Sequence, residues 1–236
     1  MVRYKLYRSA VASAAGATGE LLTRQLLLSP LASEVLVVGK SETRAFDGLA
    51  AGKAKLRQLV MGPGTGKWPS AANLSGPEAL EGVAAAFCVL GEGRPWLVEL
   101  DRSLHFAELC ASAQVPHVSL LSSCWASKDS WGADLRKQEE VESIFAQQGF
   151  KRLSIFKPSL VVRPDGLPHD ASLKERGFET SLPYVRQFLP TRYREISLPD
   201  AVMAMRLNAE LCDTPEKIEH LYFEDMMQII GKEDSV

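Results

Sequence analysis

The chain has 236 residues, of which 46% are hydrophobic and 24% are charged, and its formal net charge is −2. This composition is typical of a packed globular protein and excludes a chain that is disordered throughout. Because the 27 basic residues are outnumbered by 29 acidic ones, charge gives no indication of nucleic-acid binding. No run of 18 apolar residues occurs, so we expect no membrane-spanning segment.

Strand and helix patterns alternate along the chain. Short apolar runs predict strands at Ala10–Ala15, Val35–Val38, Leu56–Met61, Ala84–Leu90, His117–Leu121 and Leu153–Phe156. Helical periodicity predicts helices at Glu20–Leu28, Trp96–Ala113, Asp134–Gln148, Ala201–Cys212 and Pro215–Ile230.

This alternation predicts an α/β fold: a doubly wound parallel sheet with right-handed crossovers and helices on both faces. We predict a single domain over residues 1–236, in which residues 164–236 form a carboxyl-terminal cap packed on the sheet. Ligands bind beyond the carboxyl ends of the strands in such sheets. Functional residues are therefore expected just after Ala15, Val38, Leu90, Leu121 and Phe156.

The first 19 residues allow two interpretations. They hold Arg3, Lys5 and Arg8 and no acidic residue before Glu20, a composition that suits a mitochondrial presequence. The same segment must also supply the first strand, which cleavage would remove. The location therefore stays open between the cytoplasm and the mitochondrion.

A glycine-containing turn, Gly16–Gly19 (GATG), lies between the first predicted strand and helix. A small backbone here lets a pyrophosphate approach the helix amino terminus, where unpaired N–H groups and the helix dipole favour negative charge. Leu22 replaces the third glycine of the complete fingerprint, and we expect it to crowd the phosphates. The alternative is a turn that only connects strand and helix.

The end of the second strand bears on the choice between NAD and NADP. Lys40 stands there, with Arg44 nearby, and no acidic residue is present to bind a ribose 2′-hydroxyl. A cation at this place favours NADP through its 2′-phosphate. A solvated loop lysine is the alternative.

Six motifs in order resemble one family: Gly16–Glu20 (GATGE), Val35–Lys40 (VLVVGK), Phe87–Gly91 (FCVLG), Asp101-Arg102, Leu120–Ser123 (LLSS) and Phe156–Ser159 (FKPS). Together they are similar to the atypical short-chain dehydrogenase/reductases, and in particular to the Tat-interacting-protein-like oxidoreductases. The resemblance implies an NAD(P)-binding Rossmann fold with a small carboxyl-terminal extension. It implies that the cofactor contacts Gly16, Ala17, Thr18, Gly19, Glu20, Lys40, Leu90, Gly91, Ser122 and Pro158.

The chemistry of this family normally needs a Tyr four residues before a Lys, aided by a Ser. The Lys lowers the pKa of the phenol, which exchanges a proton with the substrate during hydride transfer. No tyrosine lies between residues 8 and 183. One alignment puts Asp134 at the Tyr position and Gln138 at the Lys position. A shift by one residue supplies Lys137 but leaves Ala133 for the Tyr.

Ser123 would remain as the proton-relay serine, but a serine hydroxyl is too weak an acid to replace the phenol. Loss of the acid/base partner typically lowers the rate by ~10²–10⁴-fold. We therefore predict a catalytically degenerate protein that serves as a structural or regulatory subunit, with a protein partner in a multisubunit assembly, for which a mitochondrial complex is one candidate. It either retains NADP(H) or binds no dinucleotide.

Two other functions stay open. One is an active NADPH-dependent oxidoreductase whose proton donor is Asp134, Lys137 or a water held by Ser123. The other is a binding protein whose affinity for its partner responds to NADPH.

Several remaining features have simple interpretations. Gly62–Lys67 (GPGTGK) lacks the first glycine and the Ser or Thr of a phosphate loop, so we interpret it as an ordinary loop. Trp125 and Trp131 flank the expected mouth of the site, as plugs or as partner contacts. The acidic run Glu139, Glu140 and Glu142 indicates a solvated helix face. Neither a disulfide framework nor a metal site is expected, because no CxxC pair or metal-like spacing to histidine involves Cys88, Cys110, Cys124 or Cys212.

Overall fold

The computed structural model describes residues 6–12, 16–39, 42–60, 77–89, 96–163 and 190–233. Within them, one parallel sheet holds β1 (Tyr7–Ala12), β2 (Ala32–Gly39), β3 (Leu56–Val60), β4 (Val83–Val89), β5 (His117–Leu121), β6 (Arg152–Phe156) and β9 (Ile218–Leu221). The strand order is β3-β2-β1-β4-β5-β6-β9. β7 (Val161–Val162) and β8 (Ile196–Ser197) form a separate parallel pair. The order reverses direction between β1 and β4, and open α/β sheets bind their ligands at the carboxyl ends of the two strands at such a reversal.

Helices cover both faces of this sheet, so the predicted doubly wound fold is confirmed. The described helices are α1 (Ala17–Leu28), α2 (Trp96–Ser112), α3 (Ala133–Gln147), α4 (Leu198–Leu211) and α5 (Phe223–Gly231). Single 3-10 turns occur at Lys53–Lys55, Pro77–Leu80 and Thr191–Tyr193. None of the helices in the described ranges is long and apolar enough to cross a lipid bilayer.

Alternation along the strands creates two hydrophobic cores. Val11 and Phe87 point to the face covered by α1, α4 and α5, whereas the neighbouring Ala10 and Cys88 point to the face covered by α2 and α3. Strands buried on both sides have no polar face, which explains why they read as continuous apolar runs in the sequence.

Several elements begin earlier than predicted, among them β1, α1, β2 and α4. β1 begins at Tyr7, three residues earlier than expected, because Arg8 joins the ladder beside Glu34 and Val83. The predicted end of that strand, at residues 13–15, lies outside the described residues. α4 begins at Leu198, because the Ser197 side chain accepts a hydrogen bond from the Asp200 N–H (3.2 Å) and caps the helix.

The helix predicted over Pro215–Ile230 is wrong in its first half. Ile218–Leu221 forms β9, which pairs with β6 and extends the sheet by one strand, and only Phe223–Gly231 is helical. The free edge of β6 offers hydrogen-bond partners to Ile218–Leu221, which the local sequence pattern does not reveal. Pairing with β6 therefore determines the strand conformation of this segment.

A polar network fixes β9 and α4 to the start of β5 and β6. This amino-edge network comprises His117, Arg152, Ser154, Asn208 and Glu219. Arg152 donates to Glu219 Oε1 (2.8 Å) and to Asn208 Oδ1 (2.7 Å). Ser154 Oγ donates to Glu219 Oε1 (2.5 Å) and accepts from Asn208 Nδ2 (3.0 Å).

His117 completes the amino-edge network as a neutral imidazole. Its Nε2 lies 2.7 Å from Ser154 Oγ, and because the serine proton is given to Glu219, Nε2 is the donor. Burial, reinforced by the nearby Arg152 charge, lowers the pKa of His117 to about 3.

Candidate functional site

The amino terminus of α1 opens at the carboxyl end of β1, as the Gly16–Gly19 motif predicted. Gly16 is the N-cap in extended conformation, and as a glycine it has no side chain that could cap the helix. Its carbonyl accepts the N–H of Glu20 (2.8 Å), and the N–H groups of Ala17 and Gly19 precede this first bond of the helical ladder. Ala17 is exposed, and Thr18 and Gly19 are buried. The arrangement suits an anion at the helix end.

Leu22, which replaces the third glycine of the fingerprint, lies in the core of the protein. It is fully buried and belongs to the core between α1 and the sheet, together with Val11 and Leu26. The third glycine of the fingerprint allows close packing of helix and strand, so its replacement is absorbed in that packing layer.

Glu20 is already engaged by a protein partner. Arg24 donates to its Oε1 (2.8 Å) and to the carbonyl of Ala45 (2.5 Å), and the Arg24 guanidinium lies 5.7 Å from the ring centroid of Phe46. This ion pair offsets the negative charge that Glu20 brings to the first turn of α1.

A buried ion pair lies at the carboxyl ends of β5 and β6. Lys157 Nζ donates to Glu142 Oε1 (2.9 Å) and Oε2 (2.7 Å), and both side chains are 8% exposed. Ser122 Oγ also donates to Glu142 Oε1. The expectation of a solvated acidic face on α3 is therefore wrong for Glu142. The helical periodicity that places Val141 and Phe145 in the core was the signal for its burial.

Two adjacent turns are joined by backbone hydrogen bonds. The N–H of Ser122 donates to the Phe156 carbonyl (2.8 Å), and the N–H of Cys124 donates to the Pro158 carbonyl (2.9 Å). The predicted residues Ser122, Ser123 and Pro158 thus lie together. Ser123 is half-buried, and its Oγ accepts from the N–H of Trp125 (3.2 Å).

Asp134 and Lys137, the other catalytic candidates, have no described contact with Ser123. Asp134 is exposed in the first turn of α3, and Lys137 is half-buried. Among the described residues, no hydrogen bond or ion pair connects either of them to Ser123. Gln138, which one alignment puts at the family's Lys position, has a buried side-chain oxygen without a hydrogen-bond partner. It precedes Glu142 by one helical turn, so the two side chains share a face of α3.

An aromatic ladder at the same edge escaped the sequence analysis. We use this name for Trp125, Tyr193, Arg192 and Tyr222. The rings of Trp125 and Tyr193 stack with centroids 5.0 Å apart and an interplanar angle of 17°. The Arg192 guanidinium lies 5.0 Å from the Tyr193 centroid and 4.6 Å from that of Tyr222.

The sequence held no local signal for this ladder, because its members come from three separate segments that only the fold brings together. Ser159 links the ladder to β6, since its Oγ donates to the carbonyls of Tyr193 (2.7 Å) and Arg194 (3.0 Å). Trp131, by contrast, is fully exposed, so it does not plug the site.

The cysteines behave as expected for small inert residues. Cys88 and Cys110 are buried, and Cys124 and Cys212 are half-buried. Burial raises the pKa of Cys124 to about 11 against the opposing charges of Arg192 and Lys157, so its thiol stays protonated and is a poor nucleophile near neutral pH. Across the described ranges, no group of three His, Cys, Asp or Glu side chains could hold a metal ion.

The residues present fit a dinucleotide. The first turn of α1, which begins at the Gly16 N-cap, suits a diphosphate. The unpaired Gln138 oxygen suits a hydroxyl or amide donor such as a nucleotide provides. Three predicted contacts, Lys40, Leu90 and Gly91, lie outside the described residues.

Comparison with known proteins agrees with this geometry. No family model matches the chain. Protein HTATIP2 of Rattus norvegicus is 28% identical over 163 residues, which cover 64% of this chain and 62% of that relative. The predicted resemblance to the atypical short-chain dehydrogenase/reductases is confirmed.

Solved structures share the fold at low identity. The Citrobacter sp. triphenylmethane reductase complexed with NADP(H) has a TM-score of 0.61 and 14% identity, covering 96% of this chain and 75% of that one. The Escherichia coli NADPH-dependent quinone oxidoreductase complexed with NADPH has a TM-score of 0.60 and 14% identity. The match covers 91% of this chain and 69% of that one. The alfalfa (Medicago sativa) vestitone reductase has a TM-score of 0.56 and 17% identity. The match covers 96% of this chain and 82% of that one. These likenesses establish the fold of nicotinamide-dependent reductases for this chain.

Proposed function

We propose that this chain binds NADP(H) at the carboxyl edge of its sheet but has lost the proton-transfer pair of the oxidoreductases that it resembles. It would then serve as a structural or regulatory subunit of a larger assembly. The chain spans less than two thirds of the length of its curated relative, so the relative's activity is not carried over with the fold.

The side chains on α3 carry this proposal. At the positions of the family's phenol and lysine, one alignment puts the exposed Asp134 and the uncharged Gln138, and the other puts Ala133 and Lys137, so neither supplies the pair. The nearby buried lysine, Lys157, is held in two hydrogen bonds by Glu142. The protein itself therefore takes up two of the hydrogen-bond donors of this ammonium.

Dinucleotide binding is supported by different residues. The first-turn N–H groups of Ala17 and Gly19 would hold the diphosphate, and Gln138 would accept from a sugar hydroxyl or from the carboxamide. When bound, NADPH supplies a hydride at its nicotinamide ring. The ion pair of Glu142 with Lys157 fixes the turns after β5 and β6, and so keeps Ser122 and Pro158 in place beside the ligand.

The test combines binding with turnover on the purified chain. We expect saturable NADPH binding together with no oxidation of NADPH above background against a panel of aldehydes, ketones and quinones. Turnover in the ordinary range of enzymes, roughly 1–10³ s⁻¹, would show that the chemistry is retained.

One observation favours the second candidate, an active NADPH-dependent oxidoreductase. The Tyr193 ring stacks on Trp125, two residues after Ser123, so a phenol from a distant segment contacts the loop that carries the serine. Tyr193, Asp134, Lys137 or a water held by Ser123 would then donate the proton. In an active preparation, Tyr193→Phe should lower turnover by ~10²-fold or more, with NADPH affinity unchanged. Equal turnover of the variant and the parent chain would remove Tyr193 from that role.

A mitochondrial location of the assembly is a prediction from the basic amino terminus. β1 is an interior strand of the sheet, between β2 and β4, so import would have to leave residues from Tyr7 onward intact. Fractionation of cells that carry the chain with a carboxyl-terminal tag, followed by mass determination of its amino terminus, decides between the cytoplasm and the mitochondrion.

A further inference from the structure

The aromatic ladder lies beyond the carboxyl ends of three strands. Trp125 follows β5, and Tyr222 directly follows β9. The strand between them in the sheet, β6, is linked to the ladder through Ser159, whose Oγ donates to the Tyr193 carbonyl (2.7 Å). Open α/β sheets bind their ligands at this edge. Arg192, the charged member of the ladder, therefore lies in the region that a second ligand beside the proposed dinucleotide site would occupy.

Two aromatic rings orient the guanidinium of Arg192. Its Cζ lies 5.0 Å from the ring centroid of Tyr193 and 4.6 Å from that of Tyr222, and both distances are within the range of cation–π attraction. Arg192 is nevertheless exposed to solvent. A guanidinium that is ordered before its ligand arrives loses less conformational entropy on binding than a mobile one.

The N–H groups of Arg192 are available to a ligand. Apart from the two ring contacts, its guanidinium donates no hydrogen bond and forms no ion pair within the described ranges. Arg24 shows the contrast, because it makes a cation–π contact with Phe46 but is also paired with Glu20 (2.8 Å). A guanidinium without an acidic partner suits an oxyanion, which it can bind through two parallel hydrogen bonds.

The positive charge of Arg192 reaches the turn after β5. Burial raises the pKa of Cys124 in this turn, and the charges of Arg192 and Lys157 oppose the rise. Lys157 is itself paired with the buried Glu142 (2.7 Å), so its charge is compensated on the spot. The charge of Arg192 has no such compensation among the described residues, and it therefore attracts an anion to this part of the edge.

A single unpaired cation fits a monoanion better than a dianion. The desolvation cost of an ion grows with the square of its charge, whereas its attraction to one guanidinium grows only in proportion to the charge. Two acids also lie close to the ladder, because Glu224 and Asp225 form the first turn of α5 and Asp225 Oδ2 accepts from the N–H of Tyr222 (2.9 Å). These features favour a carboxylate over a phosphate monoester.

We propose that Arg192 anchors a binding site for a small compound that carries a carboxylate, which the guanidinium holds through two hydrogen bonds. The compound lies beyond β5, β6 and β9, on the other side of β4 from the strand that leads into α1. As the substrate or regulatory ligand beside NADP(H), this carboxylate rests on the proposed function. As a binding site, Arg192 stands on its own contacts.

The experiment titrates the full chain with 4-fluorobenzoate by ligand-observed fluorine NMR, with and without saturating NADPH. Two comparison probes are 4-fluorobenzamide, which has nearly the same shape but no charge, and 4-fluorophenyl phosphate. Arg192→Gln removes the charge, and Arg192→Lys keeps it but loses the planar fork. Arg57→Gln is the matched control, because Arg57 is an exposed arginine of β3, at the opposite edge of the sheet. Circular dichroism confirms that each variant is folded.

We expect 4-fluorobenzoate to bind saturably and 4-fluorobenzamide to bind at least ~10-fold more weakly. Arg192→Gln should weaken 4-fluorobenzoate binding ~10-fold, and Arg192→Lys should weaken it by a smaller factor. Arg57→Gln should leave the affinity unchanged. All three substitutions replace exposed side chains, so we expect the variants to fold.

Three results would overturn the carboxylate site: equal binding of the acid and the amide, equal effects of Arg192→Gln and Arg57→Gln, or no binding of 4-fluorobenzoate up to ~20 mM. Tighter binding of 4-fluorophenyl phosphate than of 4-fluorobenzoate would overturn the ligand class. Displacement of the probe by NADPH, with weaker NADPH binding in Arg192→Gln, would assign Arg192 to the dinucleotide and overturn the second ligand.

The NADPH titration separates failure of this site from failure of the proposed function. Binding of NADPH without binding of 4-fluorobenzoate overturns only the carboxylate site. Binding of 4-fluorobenzoate that depends on Arg192, without binding of NADPH, overturns the dinucleotide site and leaves the carboxylate site in place.

Discussion

The two edges of the central sheet differ in how completely their polar groups are paired. At the amino edge, the side chains of Arg152, Ser154 and Glu219 are bonded to one another and to Asn208. At the carboxyl edge, Lys157 and Glu142 form a buried ion pair, but the Gln138 oxygen is buried without a partner. Paired groups stabilise a fold, whereas unpaired ones are available to a ligand.

A cavity of about 270 Å³ at the amino edge sharpens this contrast. Its lining includes Tyr7, Arg152 and Glu210. The Tyr7 hydroxyl donates to Glu210 Oε1 (3.1 Å), and Arg152 is held by Glu219. These groups are already occupied by protein partners, so the presence of a cavity alone does not make this edge a functional site.

The largest expected effect is on stability at the amino edge. Glu219→Ala leaves the Arg152 guanidinium unpaired, and both side chains are only 12% exposed in the parent chain. We expect the free energy of unfolding, measured by urea denaturation, to fall by about 3–5 kcal/mol. Asp47→Ala is the control, because its ion pair with Lys53 is more than half exposed and should contribute at most about 1 kcal/mol. Equal losses in the two variants would contradict the assigned role of the amino-edge network.

The second prediction concerns acid stability. Unfolded His117 titrates near its ordinary pKa of about 6.5, whereas the folded residue titrates at about 3. Between these values the unfolded chain binds a proton that the folded chain does not, so stability falls as the pH falls. The free energy of unfolding changes by up to about 1.4 kcal/mol per pH unit in this range. Above pH 6.5, His117 no longer makes it depend on pH.

His117→Gln should remove this part of the pH dependence, since an amide does not titrate but can still donate to Ser154. His220→Gln, a change on the exposed side of β9, should leave the pH profile unchanged. The urea midpoint measured from pH 4 to pH 8 tests both variants. Parallel profiles for His117→Gln and the parent chain would show that protonation of His117 is not coupled to folding.

A smaller effect of opposite sign is expected at the carboxyl edge. Gln138→Leu removes an unpaired buried oxygen, so the free energy of unfolding should rise by about 1–2 kcal/mol. NADPH affinity should fall ~10-fold, because the ligand loses an acceptor. Gln147→Leu, at the exposed end of α3, should change neither quantity. A Gln138→Leu variant that binds NADPH normally would exclude Gln138 from the site.

The sequence was sufficient to predict most strands of the sheet, because they are short apolar runs separated by segments with helical periodicity. It failed at β9, where the strand conformation depends on pairing with β6. It located the turns after β1, β5 and β6 because glycines and serines follow apolar runs there. Glu142, Arg192 and Tyr193 were missed, since burial and stacking are set by segments that are distant in the sequence.

The most direct test of the central claim is equilibrium titration of the chain with NADPH, comparing the parent with Ala17→Glu and Ala17→Gln. Ala17 is exposed at the first position of α1, where an added carboxylate stabilises the helix by about 0.3–1 kcal/mol but repels a diphosphate. The account predicts saturable binding to the parent, nearly normal binding to Ala17→Gln, and at least ~10-fold weaker binding to a more stable Ala17→Glu. No saturable binding to the parent, or equal binding to all three, would contradict it.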